Sequence, residues 1–157
     1  MFLMDVNNKT YGGSSDIVSN SSCTTNCLDL LAKVLHKNFR IEEGLMTTIY
    51  TSSATYLVVD GDAKGEEDFR GGKSALYNMI PKSTSASKAV SKVLLDINGN
   101  LTGMDIKIST PDVIMADLTV QTSYTCTGEE TDASLKTASD SDDLKVILVY
   151  TDIPLTS

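Results

Sequence analysis

Apolar residues at Cys27, Leu31, Val34 and Leu35 recur at the spacing of one helical face, so the pattern predicts a helix over 23–38, with Ser22 or its neighbour as its cap. Ala86, Ala89, Val90, Val93, Leu94 and Ile97 repeat that spacing and predict a second helix over 85–97, closed by the turn N-G-N at 98–100. A third helix, 129–139, begins acidic, as the helix dipole favours, but has only Ala133, Leu135 and Ala138 as apolar anchors. Between these, Gly44 opens a β-type run, L-M-T-T-I-Y-T. Alternation at Met104, Ile106 and Ile108 predicts a strand over 104–109, and a second follows over 113–120 after the turn S-T-P-D. V-I-L-V-Y at 146–150 reads as a buried strand.

Residues 60–73 form a long, polar, glycine-rich loop with five acidic side chains, without the spacing of a calcium loop. Strands interleaved with helices, long loops and hairpins point to an α+β fold. The expectation is a mostly antiparallel mixed sheet packed against about three helices, in a single domain over 1–157. Leu31, Val34, Phe39, Leu45, Ala89, Val90 and Val93 are its expected core, with methionines such as Met79, Met104 and Met115 as filler.

A chain of 157 residues buries enough surface to stand without disulfides. Its formal net charge of -8 argues against nucleic acid and anionic membrane as partners, which require a basic patch. No apolar run approaches the ~20 residues of a membrane span, and the opening M-F-L-M-D is too short for a signal peptide. Cys23, Cys27 and Cys126 make an odd count without framework spacing, so the expected setting is reducing and cytoplasmic.

Cys23 stands where a polar stretch, S-N-S-S, becomes a helix. Unpaired N–H groups and the positive end of the helix dipole favour a thiolate there. Cys27, one turn on, falls on the apolar stripe and is expected to be an inert core thiol. The plainer alternative makes both cysteines small buried hydrophobes. A metal site does not fit: the pair supplies two ligands, and the single histidine, His36, lies further along the same helix, where a structural role is expected. Asp140, Asp142 and Asp143 read as a solvated cluster at a helix end.

The string S-N-S-S-C-T-T-N-C-L, followed by L-A-K-V-L-H-K-N-F and E-G-L-M-T-T, resembles glyceraldehyde-3-phosphate dehydrogenase. The likeness continues through R-G-G-K, N-M-I-P-K-S-T-S-A-S-K-A-V-S-K-V, N-G-N-L-T-G-M and D-L-T-V to L-V-Y-T-D, nearly the whole chain. It implies a catalytic domain in which Cys23 attacks an aldehyde, hydride passes to NAD, and phosphate cleaves the resulting thioester. In the family a histidine one strand away activates the thiol.

Here Tyr50 stands in that histidine's place. A phenol with a pKa near 10 is no base at neutral pH without a large shift, and losing positioned acid–base help costs about 10²–10⁴ in rate. Of the phosphate-binding positions the resemblance implies, Ser22, Thr24 and Thr84 are kept, while Ser53, Ser85 and Lys107 replace threonine, glycine and arginine. Lysine keeps the charge but loses the bidentate fork. Neither Gly12-Gly13 nor Gly71-Gly72 matches the glycine fingerprint that seats a dinucleotide, so no cofactor is expected here and NAD only in the full-length family.

The chain is expected to begin where the family's NAD domain ends. Asp29 and Arg40, where alanine and glycine are usual, and the acidic S-D-S-D-D suggest former interface made polar. The expectation is therefore an engineered or redesigned stand-alone catalytic domain. It would be monomeric, require no partner, carry an altered family tetramer surface, and lack native turnover. A fragment of an active dehydrogenase and a weak thiol esterase are the alternatives.

Overall fold

The computed structural model describes residues 1–51, 59–62, 69–74, 76–84, 86–110 and 112–155. Three helices, α1 (Cys23–Phe39), α2 (Ala86–Val93) and α3 (Gly128–Ser139), accompany four strands, β1 (Ile41–Thr51), β2 (Ile80–Ser83), β3 (Leu101–Ile108) and β4 (Ile114–Thr122). The strands form one sheet in the order β2-β3-β1-β4. Its β1–β4 and β2–β3 pairs are antiparallel and its β1–β3 pair is parallel, the mixed α+β arrangement the sequence predicts.

Helix α1 starts where Ser22, in extended backbone, accepts the Thr25 N–H at 3.2 Å. It ends at Arg40, whose left-handed backbone turns the chain straight into β1. His36 secures that turn, its Nδ1 accepting the Ile41 N–H at 3.1 Å, which gives this histidine the structural role expected of it. The core joins Leu28, Ala32 and Leu35 of α1 to Met46 of β1, Val90 of α2, Ile97 and Leu101. A Cβ on Gly44 would meet Leu101 Cδ2 at 2.8 Å and Thr119 O at 3.0 Å, so β1 is clasped closely from both sides.

Several expectations are corrected. Val34 and Leu35 are buried as predicted, but the rest of the buried stripe of α1 runs through Thr24, Thr25, Leu28, Asp29 and Ala32 rather than Cys27 and Leu31. Cys27 is therefore exposed, not a core thiol. Leu45 points to the sheet's open face and is 46% exposed, and Met104 and Met115 are exposed too, because alternation carries them away from the helices; Met79, just before β2, is also exposed. The second helix stops at Val93 and gives way to a 3-10 turn, Leu95–Ile97.

Residues 146–150 form no strand, and Val146 and Val149 are more than four-fifths exposed, since no strand of the sheet pairs with them. Helix α3 holds a full capping box between Thr127 and Glu130 yet buries no residue, in keeping with its sparse anchors. The ends of the 60–73 loop are tied by the Gly61 N–H to Gly72 O bond and by Asp60, which accepts from the Ser74 N–H and Lys73; residues 63–68 lie outside the described residues.

Asp29 is the sharpest correction. It is 0% exposed, beneath α1 rather than on a solvent-facing surface, and neither carboxyl oxygen has a hydrogen-bond partner among the described residues. Burial pushes its carboxyl up to about 7. In the unfolded chain an aspartate titrates near 3.9, so between these values the folded state keeps a proton that the unfolded state has lost. Asp29's contribution to stability is then intact below about pH 4, falls as pH rises, and is gone above about pH 7. Asp29→Ala is expected to add about 1–3 kcal/mol at pH 8 and little at pH 4, read from urea unfolding at both; a gain equal at both would refute the assignment. Gly44→Ala is expected to cost about 1–3 kcal/mol in the same assay through overpacking against Leu101 and Val120.

Candidate functional site

The register places side chains in rows across the helix-covered face of the sheet. Lys107, Tyr50 and Ile114 sit side by side on β3, β1 and β4, and the next row holds Lys82, Asp105, Thr48 and Ala116. The N-terminal turn of α1 lies over the β4 side of these rows. There Cys23, Thr24, Cys27, Ile114 and Ala116 line a cavity of about 100 Å3. Cys23 is exposed, whereas Thr24 is buried with its hydroxyl 4.0 Å from the Cys23 sulfur.

Lys107 Nζ lies 3.7 Å from the centre of the Tyr50 ring, over its π face. Burial, then the Asp105 carboxylate and Cys23, push the Tyr50 phenol up to about 12, further from a base than free tyrosine. Burial lowers the Lys107 ammonium, and Lys82 adds to that, while Asp105 and Cys23 oppose it. Asp105 accepts a short hydrogen bond from the Thr48 hydroxyl, which also reaches Met104 O at 3.3 Å.

Cys23, Thr24, Tyr50 and Lys107 are thus brought together. Ser22 is engaged in capping α1. Thr84 accepts the Ala86 N–H at 3.1 Å and packs beside Gly103, at the head of α2. Ser53 and Ser85 lie outside the described residues. Asp105 and Lys82 were missed at the sequence level, although the spacing Asp105-Ile106-Lys107 already puts two opposite charges on one face of a strand.

A dinucleotide has no fitting cradle among the described residues. Gly12 and Gly13 lie in an exposed stretch with no strand before them, and α1 begins only at Cys23; Gly72 ends a 3-10 turn, Phe69–Gly72. Among the described residues no three metal-ligating side chains converge, and no helix is long and apolar enough to cross a membrane.

Residues 22–157 match the family described as glyceraldehyde 3-phosphate dehydrogenase, C-terminal domain. The glyceraldehyde-3-phosphate dehydrogenase of Neurospora crassa is 50% identical over 97% of this chain. A relative from Craterostigma plantagineum named cytosolic is 51% identical, and one from Arabidopsis thaliana named chloroplastic is 50% identical, each over 97% of the chain. The chain spans 44%, 44% and 36% of these relatives' lengths.

Two thiols one turn apart are expected to react differently. Although Cys27 as a residue is exposed, partial desolvation where it lines the cavity, and then the Cys23 charge, hold its thiol up, so less of it is thiolate. Alkylation with iodoacetamide at pH 8, read by peptide mass spectrometry, is expected to label Cys23 before Cys27; the reverse order would contradict the geometry.

Proposed function

Since the chain belongs to the glyceraldehyde 3-phosphate dehydrogenase family, we propose that it is the thiol-bearing catalytic half of a phosphorylating aldehyde dehydrogenase whose nucleophile, Cys23, works without its acid–base partner. The observation that supports this reading is the Tyr50 phenol, close enough to Cys23 to feel its charge and pushed up to about 12, at the position where the resemblance implies a histidine. Such a phenol takes no proton from a thiol or a water at neutral pH. It retains its own proton and can only donate.

Among the described residues the site keeps a nucleophile at a helix head, a threonine beside it and the Lys107 cation, with Lys82 in the next row. Cys23 attacks an activated carbonyl, forms a thioester and releases it slowly, because nothing positioned activates the attacking water or phosphate. A reduced anion site around that carbon would draw on Ser22, Thr24, Thr84 and Lys107, of which Ser22 and Thr84 are also engaged at helix heads; Ser53 and Ser85, which the resemblance adds, lie outside the described residues. The full reaction would draw NAD from a glycine-fingerprint domain of the family, and no step through it is derived from these residues. The thiol must stay reduced to act, which suits a cytoplasmic setting.

A redesigned, self-standing and monomeric domain remains part of the proposal. Of the two substitutions that suggested it, Arg40 is exposed as a reworked surface requires, whereas Asp29 is buried and lends it nothing. A fragment of an active dehydrogenase is the second reading, favoured by the identity of about half the residues shared with whole enzymes.

The test uses glyceraldehyde 3-phosphate, NAD and phosphate, with p-nitrophenyl acetate in parallel. The chain is expected to form no NADH, and to give one burst of nitrophenolate as Cys23 is acetylated, followed by slow release. Tyr50→His is expected to raise the rate of release by about 10²–10⁴. NADH formation by the unaltered chain, or release unmoved by Tyr50→His, would overturn the reading.

A further inference from the structure

The turn that leads into β3 carries a reactive linkage far from the thiol chemistry. We propose that Asn98–Gly99 is a self-modifying site: the Asn98 side chain cyclises onto the Gly99 nitrogen, and water opens the ring to an isoaspartyl link that loosens the union of β1 with β3.

Of the asparagines in the chain, Asn98 alone precedes a glycine, whose missing side chain leaves the following nitrogen open to approach. Asn98 and Gly99 are both exposed. Asn98 has φ -62° and ψ 121°, Gly99 has φ 84°, and the Asn100 N–H donates to Ile97 O at 3.1 Å, the marks of a type II turn over residues 97–100. A Cβ built on Gly99 would meet nothing within 4 Å. Among the described residues no hydrogen bond holds the Asn98 side chain. The peptide between the two residues therefore has room to swing round and bring its nitrogen onto the side-chain carbon.

The competing positions are restrained. Hydrogen bonds hold the side chains of Asn7, Asn8, Asn26, Asn38 and Asn78, and Asn26 and Asn38 are fixed in α1 as well. Asn100 precedes the buried Leu101, and Asn20 precedes Ser21. Asp60–Gly61 has the same following glycine, but a carboxylate is a poor electrophile. Asp60 also accepts from the Ser74 N–H and Lys73, and the Gly61 N–H is engaged with Gly72 O at 2.9 Å.

The steps need water and nothing else. The Gly99 nitrogen attacks Asn98 Cγ, the new C–N bond forms, and the side-chain nitrogen leaves as ammonia, taking the proton that the backbone nitrogen gives up. Water then opens the cyclic imide. Attack at the side-chain carbonyl leaves an ordinary backbone with aspartate at position 98. Attack at the main-chain carbonyl breaks the original peptide bond, so the chain runs through the side chain and gains a methylene.

That extra length falls between two buried residues, Ile97 and Leu101. Asn100 O accepts the Gly44 N–H at 2.9 Å, beside the Gly44–Leu101 pair at which the β1–β3 ladder begins. There is no slack here, since a Cβ on Gly44 would already meet Leu101 Cδ2 at 2.8 Å. The new carboxylate also arrives beside the groove that Glu42 and Glu43 line with Gly99 and Asn100, where like charges repel. A longer, more acidic turn therefore weakens the sheet along its central strand.

The experiment holds the full chain at pH 8, samples it over days, and follows every asparagine by peptide mass spectrometry, with isoaspartate counted by an isoaspartyl methyltransferase and a labelled methyl donor. Conversion is expected at Asn98 before any other asparagine. The converted chain, separated by ion exchange, is expected to unfold at lower urea than fresh chain. Asn98→Gln, with its fold checked by circular dichroism, sets the amide one carbon too far for ready ring closure. It is expected to stay unconverted and to keep its urea midpoint over the same days. Earlier conversion at Asn20 or Asn100, absence of isoaspartate, or a converted chain as stable as the fresh one each overturns the inference.

Discussion

The seating of α1 on β1 governs everything else in this molecule. Leu28, Ala32 and Leu35 lock the helix against Met46, and the Ser22 cap fixes where its first turn begins. Those two facts decide where Cys23 is held, over the edge of a row whose centre is Tyr50. Among the described residues the thiol has only the long contact to the Thr24 hydroxyl, at 4.0 Å. It is placed by apolar packing a turn and more away and by one serine hydroxyl, so the chemistry inherits its geometry from the core.

That arrangement also shows what one residue change can do to a site whose scaffold is intact. The strand carrying Tyr50 is paired on both sides and in register with Lys107 and Ile114. An imidazole and a phenol fit such a slot with similar shape, but they differ in when they hold a proton. Around Tyr50, the second row brings Asp105, Lys82 and Thr48 together, so opposite charges sit where the sheet meets the helices. Asp29 places another carboxyl inside without a hydrogen-bond partner among the described residues. The fold tolerates this because the carboxyl can stay protonated rather than carry a buried charge.

Much of the fold was legible in the sequence, and the reasons are local. Helix α1 could be read because its cap and its periodic apolar residues agree, and β1 because threonines and aliphatics run on unbroken from Gly44. The rotation of α1 could not be read, since Cys27 and Leu31 mimic a buried stripe while Thr24 and Thr25 are the residues that go inside. Residues 146–150 have the apolar content of a strand, but a strand exists only through its neighbour, and none is present for them. At the site, the helix-head thiol stood out from chain chemistry alone, whereas Tyr50 stood out only against the family resemblance. The partnership of Tyr50 with Lys107 and Asp105 needed the register, which no local pattern contains.

The order of the strands has a consequence for how the molecule comes into being. β1 lies at the heart of the sheet, yet both its partners, β3 and β4, are drawn from the far half of the chain: Gly44 waits for Leu101 on one side and Val120 on the other. A nascent polypeptide leaving the ribosome therefore exposes its central strand long before anything can pair with it. α1 and β1 can meet early, but closure of the sheet is a late, long-loop event that awaits β3 and β4.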